Sequence, residues 1–171
     1  MSEVPLTIQK TCRVPVPIAT CFKLFLTLKP HEYIHSDKLI APIVSVEMLS
    51  GEAFDHVGAR QKITFKDGAV IEEELLAVEP NRQFLYRGVG FSQPVVNFID
   101  HAKGSFEFEK LGDETIITWR YVFHLKPKFS GFLPKMLFKT SVMDLVWSRM
   151  MSKTLTNLTQ ILTLRAIQFK A

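Results

Sequence analysis

The chain has 171 residues, 47% of them hydrophobic and 14 of them Phe, which suits one domain over residues 1–171 with apolar side chains both to fill a core and to line a cavity. Its net charge of +4 splits unevenly, −4 over residues 1–114 and +8 over 115–171, but no nucleic-acid-binding motif accompanies the basic part and no nucleic-acid partner is expected. No apolar run of about 18 residues predicts a membrane-spanning helix, no basic and apolar leader opens the chain, and Cys12 and Cys21 lack a CxxC spacing, so free thiols in a cytoplasmic protein are expected.

Residues 4–14 read as a first strand, closed by Pro15 and Pro17. Residues 18–28 then read as a short helix, with Ile18, Cys21, Phe22 and Phe25 on one face. A second short helix is expected from Pro30 to about Lys38. Residues 43–49 and 59–65 read as strands on either side of a loop bounded by Gly51 and Gly58. Asp67-Gly68 is a strong hairpin signal into a strand over 69–78. Residues 83–88, 98–109 and 115–125 complete the strands, with a longer loop at 90–97.

Period-two alternation sorts the last two strands into faces. Ile117, Trp119, Tyr121, Phe123 and Leu125 share one face, and Phe98, Asp100, Ala102, Gly104, Phe106 and Phe108 share one on the neighbouring strand. Their aromatics are expected to turn inward, towards a long amphipathic helix over 130–169. On ideal helical spacing, Leu133, Leu137, Met151, Leu155, Leu158, Leu162 and Phe169 line the buried face of that helix. Met136, Met143, Trp147, Met150 and Ile161 flank it, and a Met-rich surface suits an adaptable, partly open interior. Asp144 falls within the apolar face, either as a cavity carboxylate or as the N-cap of a helix broken near residues 140–144. A stripe of Lys135, Lys139, Arg149 and Lys153 lies opposite; it is read as a solvated face, with weak peripheral membrane contact as a further reading.

These elements make an α+β chain, a curved antiparallel sheet wrapped around a long C-terminal helix, with two short helices between the first two strands. The ordered segments VPVPIATCFKLF, GEAFDHVGARQKITFKDG, IEEELLAVEPNRQFLYRG, HAKGSFEFEKLGDETIITWRYVF and WSRMM carry a resemblance over nearly the whole chain. The chain resembles the SRPBCC superfamily, whose fold is the helix-grip, with a sheet of about seven strands, and within it the polyketide cyclase/dehydrase and lipid-transport-like branch. The resemblance implies a deep cavity between sheet and helix that holds a hydrophobic or aromatic small molecule. It covers binding, transport and cyclisation alike, so activity has to be argued from the site. Related chains often carry Arg on the inward face of the third strand, where this chain has Gln61 opposite the apparently matching Glu73.

Gln61, Phe65, Glu73, Tyr86, Phe98, Asp100, Phe106, Trp119, Tyr121, Met143, Asp144 and Trp147 are therefore the candidate ligand-binding residues, a mostly apolar set with a few polar groups. His31-Glu32-Tyr33-Ile34-His35 matches H-E-x-x-H, in which two His one turn apart hold zinc. The stretch is short, follows Pro30 and has no evident third ligand, so a small surface helix near the cavity mouth is the favoured reading; no metal or cofactor is expected. The leading function is a carrier or sensor of a hydrophobic ligand. The alternative is a cyclase or dehydratase using Asp100, Glu73 or Asp144 as general acid or base, with Tyr as donor.

Overall fold

The computed structural model describes residues 5–90, 98–129 and 132–170. Seven strands form one antiparallel sheet: β1 Leu6–Val14, β2 Ile43–Ser50, β3 Arg60–Phe65, β4 Val70–Glu79, β5 Gln83–Val89, β6 Ile99–Leu111 and β7 Glu114–Leu125. Their order across the sheet is β1-β7-β6-β5-β4-β3-β2. A meander from β2 to β7 is thus completed by the first strand, which pairs with the last from Leu6 opposite Phe123 to Val14 opposite Thr115. Because β1 and β2 occupy opposite edges, helices α1 (Ile18–Phe25) and α2 (Pro30–Tyr33) bridge between them. The loop read at 90–97 lies outside the described residues apart from Gly90, as do Ser130 and Gly131 at the entry to the long helix.

The helix-grip architecture follows from where apolar side chains go. Ile117, Trp119, Phe123 and Leu125 are buried on one face of β7. Phe25 from α1 plugs the floor, its ring 4.8 Å from Phe106, 5.3 Å from Phe84 and 5.2 Å from Phe108. The C-terminal helix covers the concave face through Met151, Leu155, Leu158, Leu162 and Ala166, spaced as one stripe along α4 (Ser148–Lys170). The α2 segment and the loop after it are tied to this helix: the His35 N–H donates to Thr154 Oγ1 at 2.8 Å, and Glu32 pairs with Arg165.

The helical region departs from ideal spacing in one place. Between α3 (Phe132–Phe138) and α4 lies a π-helical stretch, Lys139–Trp147. Its wider i→i+5 turns advance each residue by less than about 100°, so the buried stripe on α4 does not continue onto α3. Leu133 and Leu137, expected on the buried face, are 60% and 56% exposed, and Phe138 is buried instead. Phe169, near the end of α4, is also exposed, beneath the Lys23 ammonium 5.0 Å from its ring centroid.

The second correction lies in β6. A register shift between Ile99 and His101 marks a bulge. Two residues then oppose one on β7, and alternation reverses across it. Ile99 rather than Phe98 or Asp100 points inward and is buried beside Ala102. Asp100 is exposed and bonded to His101 Nδ1 at 2.7 Å, and the His101 ring stacks on His124 4.2 Å away.

The short second helix ends at Tyr33, because Ile34 turns extended (φ −63°, ψ 123°). His31 and His35 consequently do not stand one turn apart on a helix. Glu32 reaches back to the Lys29 N–H at 2.7 Å and across to Arg165. Among the described residues, no group of three or more His, Cys, Asp or Glu is placed to hold a metal ion.

Candidate functional site

Between the concave face of β2–β7, the α1–α2 segment and the last π-helical turn lies a cavity of about 680 Å³. That volume is in the range of sites for drug-sized ligands. Its walls are mostly apolar: Ile63 and Phe65 from β3, Val46 and Met48 from β2, Phe84 from β5, Trp147 and Met150 from the helix. The exposed residues in the lining are Thr27, Lys29, Leu39, Glu52, Ala53, Asp55 and Asp67, which mark where the cavity reaches solvent.

One corner is polar, and the strand register builds it. Gln61 and Glu73 are cross-strand partners on β3 and β4, so their side chains leave the same face side by side. Gln61 Nε2 donates to Glu73 Oε2 at 2.7 Å. Burial pushes the Glu73 carboxyl up from its ordinary 4.5 to about 7, against the opposing pull of that hydrogen bond. The result is a carboxyl that takes and gives a proton near neutral pH, in a cavity that is otherwise mostly apolar.

The second polar element is a hydroxyl relay. Trp119 Nε1 donates to Tyr86 Oη at 3.1 Å, and the Tyr86 hydroxyl donates to Tyr121 Oη at 3.2 Å. Gly104 makes this possible. It is paired with Tyr86 on one side and Tyr121 on the other, and a Cβ there would lie 2.2 Å from Tyr86 Cζ. Glycine inside a strand marks such a close approach. Tyr33, from α2, completes a set that uses all three tyrosines of the chain, each in the cavity wall. Burial raises all three phenols well above their ordinary value, and the nearby Glu73 charge adds to that, so they remain hydrogen-bond donors at neutral pH. Trp147 Nε1 is buried without a protein partner in the same wall, one more donor open to a bound molecule.

Of the residues read from sequence, the cavity brings together Gln61, Phe65, Glu73, Tyr86, Trp119, Tyr121 and Trp147. Phe106 stands behind the wall, fully buried and stacked on Trp119 at 5.0 Å, where it supports the lining without facing the space. Phe98 is partly exposed and packs on Phe129, on the far side of the bulge. Asp100 is on the outside, where its hydrogen bond from His101 holds its carboxyl below the usual range. Asp144 is exposed, turned out by the π-helical winding. The Met143 side chain lies outside the described residues. Sequence reading missed Tyr33, placed on a presumed surface helix, and the part played by Gly104, although a glycine between two tyrosine-bearing strands was a readable signal.

The family model described as polyketide cyclase / dehydrase and lipid transport matches residues 5–163. Among solved structures, the fold is similar to Ara h 8.0201, at TM-score 0.65 and 19% identity over 93% of this chain and 98% of that one. It is similar to norcoclaurine synthase from Thalictrum flavum in complex with dopamine and hydroxybenzaldehyde, at TM-score 0.66 and 14% identity over 92% and 86%. It is also similar to protein MLL2253 from Mesorhizobium loti, at TM-score 0.59 and 18% identity over 92% and 96%. At these identities the likeness concerns the fold alone. No curated protein matches the chain.

Proposed function

Because the chain belongs to the polyketide cyclase/dehydrase and lipid transport family, we propose that its cavity takes up one hydrophobic or aromatic small molecule, as a carrier or sensor. The observation that carries this reading is the cavity's make-up: about 680 Å³ of mostly apolar wall, with the Gln61–Glu73 pair and the tyrosine hydroxyls as a polar corner inside it and charged side chains at its mouth. Burying an apolar body there is favourable at roughly 25 cal/mol per Å². The Gln61–Glu73 pair and the Tyr121 end of the relay then reward a ligand that presents a hydroxyl or carbonyl to that corner, since an unmet polar group would be penalised there.

A second reading has one specific observation behind it, the Glu73 carboxyl poised near neutral pH among phenol donors. Such a carboxylate could take a proton from a bound molecule while Tyr121 donates a hydrogen bond to its carbonyl oxygen, the work of a cyclase or dehydratase. Native mass spectrometry of the purified protein, followed by release and identification of whatever co-purifies, tests the binding reading. A single released hydrophobic compound per chain supports it. Incubating that compound with protein and finding a new product favours the enzyme, and unchanged compound favours the carrier.

A further inference from the structure

The π-helical winding has a second result: it leaves α3 with an apolar face that the core does not use. Phe138 turns inward, its ring 5.4 Å from that of Phe123. On the opposite side Leu133, Met136 and Leu137 are 60%, 45% and 56% exposed. Leu145, further along, is more exposed still. A helix face that only meets water carries charged and polar residues rather than three large aliphatic ones.

The segment that carries this face is predominantly basic. Residues 126–139 contain Lys126, Lys128, Lys135 and Lys139 and no acidic residue, and Asp144 is the one acid from Thr115 to the end of the chain. A second copy of the chain is a poor occupant, because a twofold contact through this face would set the lysines against themselves. An exposed apolar helix face in a lysine-rich segment matches a surface that is negatively charged outside and apolar just beneath. We propose that α3 docks in the plane of an anionic phospholipid membrane, with Leu133, Met136 and Leu137 entering the headgroup boundary and the exposed Lys128 and Lys139 on the phosphate layer. Arg149, part of the stripe read from sequence, is 3.6 Å from Asp37 and ties α4 to the loop after α2 rather than belonging to this surface. The docking surface stands independently of what the cavity holds.

Co-sedimentation with phosphatidylcholine vesicles, with and without phosphatidylserine, tests the proposal on the full chain. Binding is expected only to the phosphatidylserine vesicles and should weaken as salt rises. Lys128→Ala with Lys139→Ala should weaken it about thirtyfold, or about fivefold for each lysine at roughly 1 kcal/mol apiece. Leu133→Ser with Leu137→Ser should abolish it at unchanged circular dichroism, both side chains being exposed. Failure to bind either vesicle overturns the proposal. So does binding that is equal on neutral vesicles or indifferent to the lysine changes. A dimer by light scattering that the Leu133→Ser/Leu137→Ser variant dissociates would give the face to a second copy and overturn it as well.

Discussion

Replacing Glu73 by Gln keeps the shape of the side chain and its ability to accept from Gln61 Nε2 through the amide oxygen, but removes the titrating proton. In the folded chain, burial holds that proton up to about 7, against an ordinary 4.5. A group that binds its proton more tightly when folded adds to stability at low pH. It gives that contribution up as pH rises between 4.5 and about 7. At about 1.4 kcal/mol per pH unit, the wild type should lose on the order of 2–3 kcal/mol across that window relative to Glu73→Gln. Carboxylates with lowered values, Asp37 and Asp100, are common to both proteins and cancel in the difference. Urea unfolding of both proteins at intervals from pH 4.5 to 8 measures it. The variant should be the more stable of the two above pH 7, and the two should converge in relative terms towards low pH. Parallel stability curves would mean that Glu73 titrates like an exposed carboxylate, and the polar corner would lose its poised acid.

The remaining predictions concern the relay and the corrected residues. Gly104→Ala puts a methyl group 2.2 Å from Tyr86 Cζ; it should cost about 1–3 kcal/mol in denaturant unfolding and shift the tryptophan fluorescence as the Trp119–Tyr86 bond is broken. Trp119→Ala should cost about 3–5 kcal/mol, since the ring is 1% exposed and packs on Phe106 and Tyr121; a loss under about 1 kcal/mol would contradict its place in the core. Asp144→Ala should stay within about 0.5 kcal/mol of wild type and leave ligand affinity unchanged, because the side chain is exposed; a clear loss in either would place Asp144 at a cap or in the cavity after all.

The sheet was legible because its evidence is local. Alternation over Ile117, Trp119, Tyr121, Phe123 and Leu125 names the inward face of β7, and the Asp67-Gly68 turn sets the β3–β4 register that pairs Gln61 with Glu73. What was not legible comes from two irregularities that a fixed period cannot carry. A single extra residue in β6 turned Asp100 outward and Ile99 inward. Nine residues of wider helical winding moved Leu133, Leu137 and Asp144 to the surface while Met151, Leu155, Leu158 and Leu162 kept their predicted face. Tyr33 escaped notice for a third reason. A four-residue helix shows no usable period, and its one buried side chain is positioned by packing against Phe25 and Phe106.

The occupancy of the cavity is the point on which the account turns, and filling it in advance tests that directly. Ile63 is buried in β3 between Gln61 and Phe65, on the face that looks into the space, so Ile63→Trp occupies volume that a ligand would use. Titrating anilinonaphthalene sulfonate into wild type and Ile63→Trp, with circular dichroism confirming that both are folded, compares an open with a blocked cavity. Saturable binding of one dye per wild-type chain is expected, weakened by about tenfold or more in the variant, a difference of about 1.4 kcal/mol. Equal affinity in the two proteins, or dye uptake that never saturates, would contradict it.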